Sequence, residues 1–358
     1  MRRSPAITTL VAVFLGLASI ACVASDASVA GTRLPAGAPR RSRTSASSSI
    51  SPEKASLDPA IVNDEAASIP VRRGDRGAAV LRSQVLLARA HFSCGEIDAR
   101  FGSNLEKAVA EFQKSRGLEE NGRVDAATWQ TLNEDRQPVL VKTPLAPENV
   151  SGPFVAIPDG MMEKAKVSAM GFAMGFVSPL EALSEKYHLS PSLMTALNPG
   201  VALDLPGASV EVPNVLVPPP GPAAAIVVSK NRRVVEALDR DGRIIASYPA
   251  SIGSDHDPLP VGTWKILGVS RNPAFHYDPK LFWNAKPTDE KAVIAPGPNN
   301  PVGVAWIDLS KAHYGIHGTP EPATIGKTQS HGCIRLTNWD VWELQQMVKP
   351  GTPARLEN

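Results

Sequence analysis

Two short stretches near the C-terminal end gather residues that could do covalent chemistry. Gly315-Ile316-His317-Gly318-Thr319 is followed by Ser330-His331-Gly332-Cys333-Ile334-Arg335-Leu336. A thiol is a strong nucleophile only as its thiolate, so it needs an imidazole nearby to take its proton. Glycines beside it let a carbonyl group come up against backbone N–H groups, and together these are the requirements of acyl transfer. His317, His331 and Cys333 could instead be three zinc ligands, but no fourth Cys, His or carboxylate stands at a customary spacing. Asp255-His256-Asp257 also has metal-like composition, and before Pro258 it reads better as a polar loop. His276 and Tyr277 are open between substrate contact and turn filling. Neither a metal nor a cofactor is expected.

These residues need a scaffold, and the surrounding sequence reads as strands. From Ala225 onward short β-branched runs alternate with turns: Ile226-Val227-Val228, Val234-Val235, Ile244-Ile245-Ala246 and Trp264-Lys265-Ile266-Leu267. A mainly-β domain follows from that texture. Turn-rich blocks begin at Pro260 and Pro296. Thr337-Asn338-Trp339-Asp340 reads as the capped start of a helix through Val348, with Val341, Leu344 and Val348 facing inward.

An isolated His-Gly-Thr followed by Ser-His-Gly-Cys-Ile-Arg closely resembles the signature of the L,D-transpeptidase catalytic domain, the YkuD family, over residues 224–357. The resemblance implies that Cys333 is the nucleophile and His317 its proton acceptor and later donor, with the Gly318 carbonyl orienting the imidazole. It also implies that His331 shapes the site through hydrogen bonds and that the N–H groups of Gly332 and Cys333 form an oxyanion hole. Ser330 and Arg335 are the expected substrate-binding residues, Arg335 either meeting a carboxylate of the peptide stem or bracing the loop. The segment from Arg271 to Lys291 is the expected lid. The implied activity is cross-linking of peptidoglycan stems through a cysteinyl thioester, serving cell wall biogenesis and cell shape. Stem amine, water and protein lysine all remain open as the acyl acceptor.

Upstream, residues 69–134 carry the punctuation of three short helices. Gly77 precedes Val80, Leu81, Leu86 and Leu87; a second helix from Asn104 stops at Gly117; a third starts at Asp125, a good N-cap. Phe101-Gly102 through Ala108-Val109 to Phe112-Gln113, closing on Thr128-Trp129 and Leu132, resembles a peptidoglycan-binding domain. Cys94 falls in one of its loops as a packed side chain. Residues 135–175 read as a Pro-rich linker. Residues 176–215, with a helix from Leu180 to Tyr187, a second after Ser190 and a strand at Val210 to Val212, resemble an α+β LysM-like module. Val177-Ser178-Pro179 stands there in place of the usual opening, so the module is either a glycan binder or a spacer.

Met1-Arg2-Arg3 and the apolar run from Ala6 to Ala21 read as a signal peptide, residues 1–24, implying export to the periplasm or cell envelope. Cys22 is a candidate lipid anchor, in competition with cleavage at a small-residue site near Ala21 or Ala24. Residues 25–68 read as a disordered linker containing Arg40-Arg41-Ser42-Arg43. Loss of Arg2 and Arg3 takes the formal charge of +2 to about 0, which gives no electrostatic support for a nucleic-acid partner. The 358-residue chain, with 33 Pro and 27 Gly, is therefore expected to be multidomain. Its expected partners are peptidoglycan stem peptides and glycan, met as a monomer.

Overall fold

The computed structural model describes residues 57–330 and 332–358. The signal peptide, Cys22 and Arg40 to Arg43 lie outside the described residues. Order begins earlier than the linker reading had it. A short helix, α1 (Pro59–Asn63), is capped by the Asp58 carboxylate and buries Val62 completely. The Asn63 side chain accepts from the amides of Val139 and Leu140, each at 2.8 Å, and donates to the Leu140 carbonyl at 3.0 Å. Ser- and Ala-rich composition hid this segment, because what orders it is a partner more than seventy residues away.

The helical domain contains α2 (Ala78–Arg89), α3 (Ser103–Arg116) and α4 (Ala126–Leu132). Gly117 ends α3 in the left-handed conformation at φ 66°, and the Asp125 carboxylate caps α4 by accepting from the Thr128 amide at 2.9 Å. Phe92 meets Phe112 edge-on at 5.4 Å, while the Trp129 indole donates to the Ile69 carbonyl at 2.8 Å. Gln113 is fully buried without cost because it bonds Asn121, Thr128, the Arg123 carbonyl and the Gly122 amide.

The stretch 135–175 is more than a connector. Within it, β1 (Leu140–Pro144) and α5 (Met161–Ala169) precede α6 (Pro179–Lys186), α7 (Pro191–Leu197) and β2 (Ser209–Pro213). β1 pairs antiparallel with β2, Leu140 opposite Pro213, and so completes a strand–helix–helix–strand unit. The unit cannot be recognised locally, since its two strands flank both helices and α5. Ser178 and Ser190 cap α6 and α7.

The C-terminal domain holds β3 (Ala225–Ser229), β4 (Val234–Leu238), β5 (Ile244–Pro249), β6 (Ser251–Ile252), β7 (Gly262–Arg271), β8 (Phe275–Tyr277), β9 (Ala292–Ile294), β10 (Ala305–Leu309), β11 (Gly315–His317), β12 (Ile334–Arg335), α8 (Asn338–Met347) and β13 (Pro353–Glu357). Nine of these strands form one sheet in the order β5-β4-β3-β13-β7-β10-β11-β12-β6. Its core includes Ile226, Val228, Ile307, Ile316, Ile334 and Leu336, covered by Val341 and Leu344 of α8. Most contacts in the sheet are antiparallel; β13 with β3 and β11 with β12 run parallel.

The helical domain closes the open edge of this sheet. The Ser93 amide donates to the Ser247 carbonyl and the Ser247 amide to the His91 carbonyl, both at 2.9 Å, so the loop after α2 pairs with β5. Beside that seam Arg232 bonds Glu111 at 2.5 Å and Glu236 at 2.7 Å, and Lys114 reaches Glu236 at 3.2 Å. Among the described residues no helix is long and apolar enough to cross a membrane.

Candidate active site

The parallel pairing of β11 with β12 sets the geometry. Ile316 lies opposite Ile334 and His317 opposite Arg335. Alternate side chains on a strand share a face. Continuing the register back by one residue therefore puts Cys333 beside Gly315, on the same face as His317 and Arg335. Gly315 leaves the space over the thiol to others, since a Cβ there would strike the Trp306 ring at 2.4 Å. Trp306, opposite His317 on β10, stacks on the imidazole with centroids 5.4 Å apart and planes 14° from parallel.

His317 is 5% exposed, and its Nδ1 stands 2.7 Å from the Gly318 carbonyl oxygen. A carbonyl can only accept, so Nδ1 carries the proton and Nε2 is left with its lone pair. Burial pushes the imidazole down to about 4; the Gly318 contact opposes this and the nearby Arg335 charge adds to it. The resting imidazole is thus neutral at pH 7 and able to accept a proton.

Cys333 is free and half-buried, its sulfur 3.7 Å from the His313 carbonyl. Burial raises its pKa above the usual thiol value, while the Gly315 backbone and the Arg335 charge pull the other way. Gly332, at φ 95°, takes a conformation that side chains disfavour, and a Cβ there would press on Tyr314 at 3.1 Å. His331 lies outside the described residues. Cys94, by contrast, is buried in the helical domain, its thiol pushed far up by desolvation.

Ser330 lies in the loop just before the thiol. It is 4% exposed, and its hydroxyl donates to the Cys333 carbonyl at 2.5 Å, a bond within the loop that carries the thiol. Arg335 stays beside the thiol and the imidazole, its charge acting on both. Between Arg271 and Lys291 the chain forms β8 and most of the hairpin leading to β9, with Tyr277, Phe275 and Phe282 clustered and the Tyr277 hydroxyl donating to Asp289 at 2.9 Å. Tyr277 is thus a buried residue of strand β8, whereas His276 beside it is exposed. Trp283, 60% exposed, reaches back to His256 at 5.2 Å. Among the described residues no group of three or more His, Cys, Asp or Glu side chains is placed to hold a metal ion.

Trp306, Tyr314 and Asn338 escaped the sequence reading as site residues. Asn338 was visible only as part of a helix start. Its Oδ1 lies so close to Gly318 that a Cβ there would come within 2.1 Å.

A half-open thiol, flanked by backbone amides and sharing a strand face with a neutral imidazole whose far nitrogen is pinned by a carbonyl, makes this a site of the cysteine acyl-transfer class. The chain belongs to the YkuD family of L,D-transpeptidases, acyltransferases with a cysteine nucleophile, and carries a peptidoglycan binding domain ahead of the catalytic one. The profile of the L,D-transpeptidase catalytic domain matches residues 223–356, and that of the peptidoglycan binding domain matches residues 76–132. A Bacillus licheniformis protein named "Putative L,D-transpeptidase YkuD" is 33% identical over 175 residues, covering 48% of this chain and 90% of the relative. The Escherichia coli K12 protein named "Probable L,D-transpeptidase YbiS" is 30% identical over 183 residues, 50% of this chain and 60% of the relative. Among solved structures, an L,D-transpeptidase from Xylanimonas cellulosilytica aligns over 80% of this chain and 97% of its own at 15% identity and a TM-score of 0.34.

Proposed function

We propose that the protein cross-links peptidoglycan stem peptides through a thioester on Cys333. His317 Nε2 takes the thiol proton as sulfur attacks the carbonyl between the third stem residue and a terminal D-amino acid. The oxyanion is held by the N–H groups of Gly332 and Cys333. Collapse of the adduct expels the D-amino acid, which leaves with the proton returned by His317. An amine of a neighbouring stem then attacks the thioester, gives its proton to His317 and releases the thiol. Arg335, whose charge reaches both reacting groups, also suits the carboxylates of an acidic stem.

The observation that carries this reading is the in-register pairing of β11 with β12, which brings thiol and imidazole to one face. On this reading the protein is exported, acts at the wall in the periplasm or envelope, and contributes to wall biogenesis and cell shape. The helical domain holds it on sacculi, and the strand–helix–helix–strand unit is a LysM-like module. Incubation with disaccharide-tetrapeptide and mass analysis of the products tests the activity. Dimers short of one D-amino acid are expected from the wild type and absent from Cys333→Ala. Monomeric tripeptide alone would make water the acceptor, and unchanged substrate would refute the reading.

A further inference from the structure

We propose that Glu185 is a positioning residue for the acyl transfer, acting through Asn338 on the carbonyl that aims His317, so that the strand–helix–helix–strand unit takes part in setting the catalytic imidazole. The proposal rests on the reading of Cys333 and His317 given above.

The Asn338 carboxamide, at the first turn of α8, is held from three sides. Its Nδ2 donates to the Pro298 carbonyl at 3.1 Å and to Glu185 Oε1 at 2.5 Å, and its Oδ1 accepts from the Val304 amide at 3.2 Å. Two of these partners belong to the catalytic domain; Glu185, on α6, comes from the unit before it. The same Oδ1 lies against both Gly318 and Gly303, where an added Cβ would stand 2.1 and 1.9 Å from it. Only the absence of side chains at these glycines allows so close an approach. The next group along is the Gly318 carbonyl, which holds His317 Nδ1 at 2.7 Å.

A displacement of the carboxamide would press on the Gly303 and Gly318 backbone packed against its oxygen. The Gly318 peptide decides where Nε2 points. A second contact keeps the two units in step at this place: His188, just beyond α6, stacks on Trp339 of α8 with centroids 5.1 Å apart and planes 10° from parallel. Glu185 itself is pushed up to about 8, because burial outweighs the Asn338 hydrogen bond and Glu181 and Glu96 repel the charge. A carboxyl group buried at that cost is kept where it accepts the Asn338 hydrogen bond.

The test uses the full chain and a carbapenem as acyl donor, with stopped-flow acylation followed across drug concentrations and the adduct mapped by mass. A misplacement of the imidazole by a fraction of an ångström to an ångström slows chemistry on the order of 10- to 100-fold. Glu185→Ala is expected to lower the maximal acylation rate by that factor while the half-saturating concentration stays put. Glu185→Gln, which keeps the acceptor oxygen, is expected to recover most of the rate. Lys186→Ala removes a different contact of α6, the 3.0 Å bond to Asn149, and is expected to acylate like wild type. If Glu185→Ala does not fold, Glu185→Asp withdraws the oxygen by one methylene and carries the same expectation. Wild-type maximal rate in a folded Glu185→Ala or Glu185→Asp protein overturns the proposal, as does an equal loss in Lys186→Ala. A wild type that gains no adduct at Cys333 overturns instead the nucleophile reading on which the proposal stands.

Discussion

Protonation of His317 offers a quantitative handle on the site. The folded protein holds this imidazole at about 4, whereas in the unfolded chain it titrates near its ordinary value of about 6.5. Since the unfolded state binds the proton more readily, the stabilisation is complete above pH 6.5 and is lost as the pH falls toward 4. The loss runs at about 1.4 kcal/mol per pH unit, about 3 kcal/mol over the whole interval. His317→Gln has no such titration, and every other group titrates in both proteins. The difference in unfolding free energy, wild type minus His317→Gln, should therefore shrink by about 3 kcal/mol between pH 7 and pH 4. Urea unfolding at half-unit pH steps measures it. Acylation supplies a parallel readout: the wild-type rate should hold from pH 7 to pH 5, because the base stays unprotonated, while His317→Gln should be slower by about 10² to 10⁴ at every pH. Parallel stability curves for the two proteins would refute the account of a buried, neutral imidazole.

A carbapenem should add once to the folded, reduced protein, on the peptide containing Ser330 to Arg335; Cys333→Ala should remain unmodified and Cys94→Ala should react like wild type, with intact-protein mass as the check. Gly318→Ala should cost about 1–3 kcal/mol of stability by overpacking against Asn338 and slow acylation on the order of 100-fold, whereas an alanine at the open Gly268, with nothing within 4 Å of its Cβ, should slow it by less than about 2-fold. Arg232→Ala should destabilise by about 2–3 kcal/mol in urea at pH 7, because Glu111 and Glu236 would keep only Lys114, 4.0 and 3.2 Å away, between them.

The residues proposed to react could be picked out because the chemistry suggested for them is local. Cys333, His317 and Gly318 stand in two short motifs, and strand pairing only had to bring the motifs together. Helix signals were equally local: Asp125, Ser190 and Thr337 each cap the helix that follows. What escaped depends on contacts between distant segments. β1 finds its partner only at β2, and α1 is ordered by the backbone at Val139 and Leu140. Trp306 gives no sign in its own neighbourhood that it will stack on His317. The bond from the Ser330 hydroxyl to the Cys333 carbonyl was equally invisible, since it depends on how the loop folds back on itself. Glu185 was not singled out, since only the docking of α6 on α8 brings it beside Asn338.

The pairing of the loop after α2 with β5 has a mechanical consequence. Domains joined by a slack tether let an active site sweep a volume around its point of attachment, and the tether's length then sets the local concentration of substrate. Here the helical domain is hydrogen-bonded to the rim of the catalytic sheet and fastened beside it by Arg232 and Lys114. A sacculus gripped by that domain would meet the thiol at one offset and one angle. Choice of stem would then be a matter of geometry, like the fixed stride between the jaw and the blade of a tool, and new stems would come within range only when the whole body lets go and grips again.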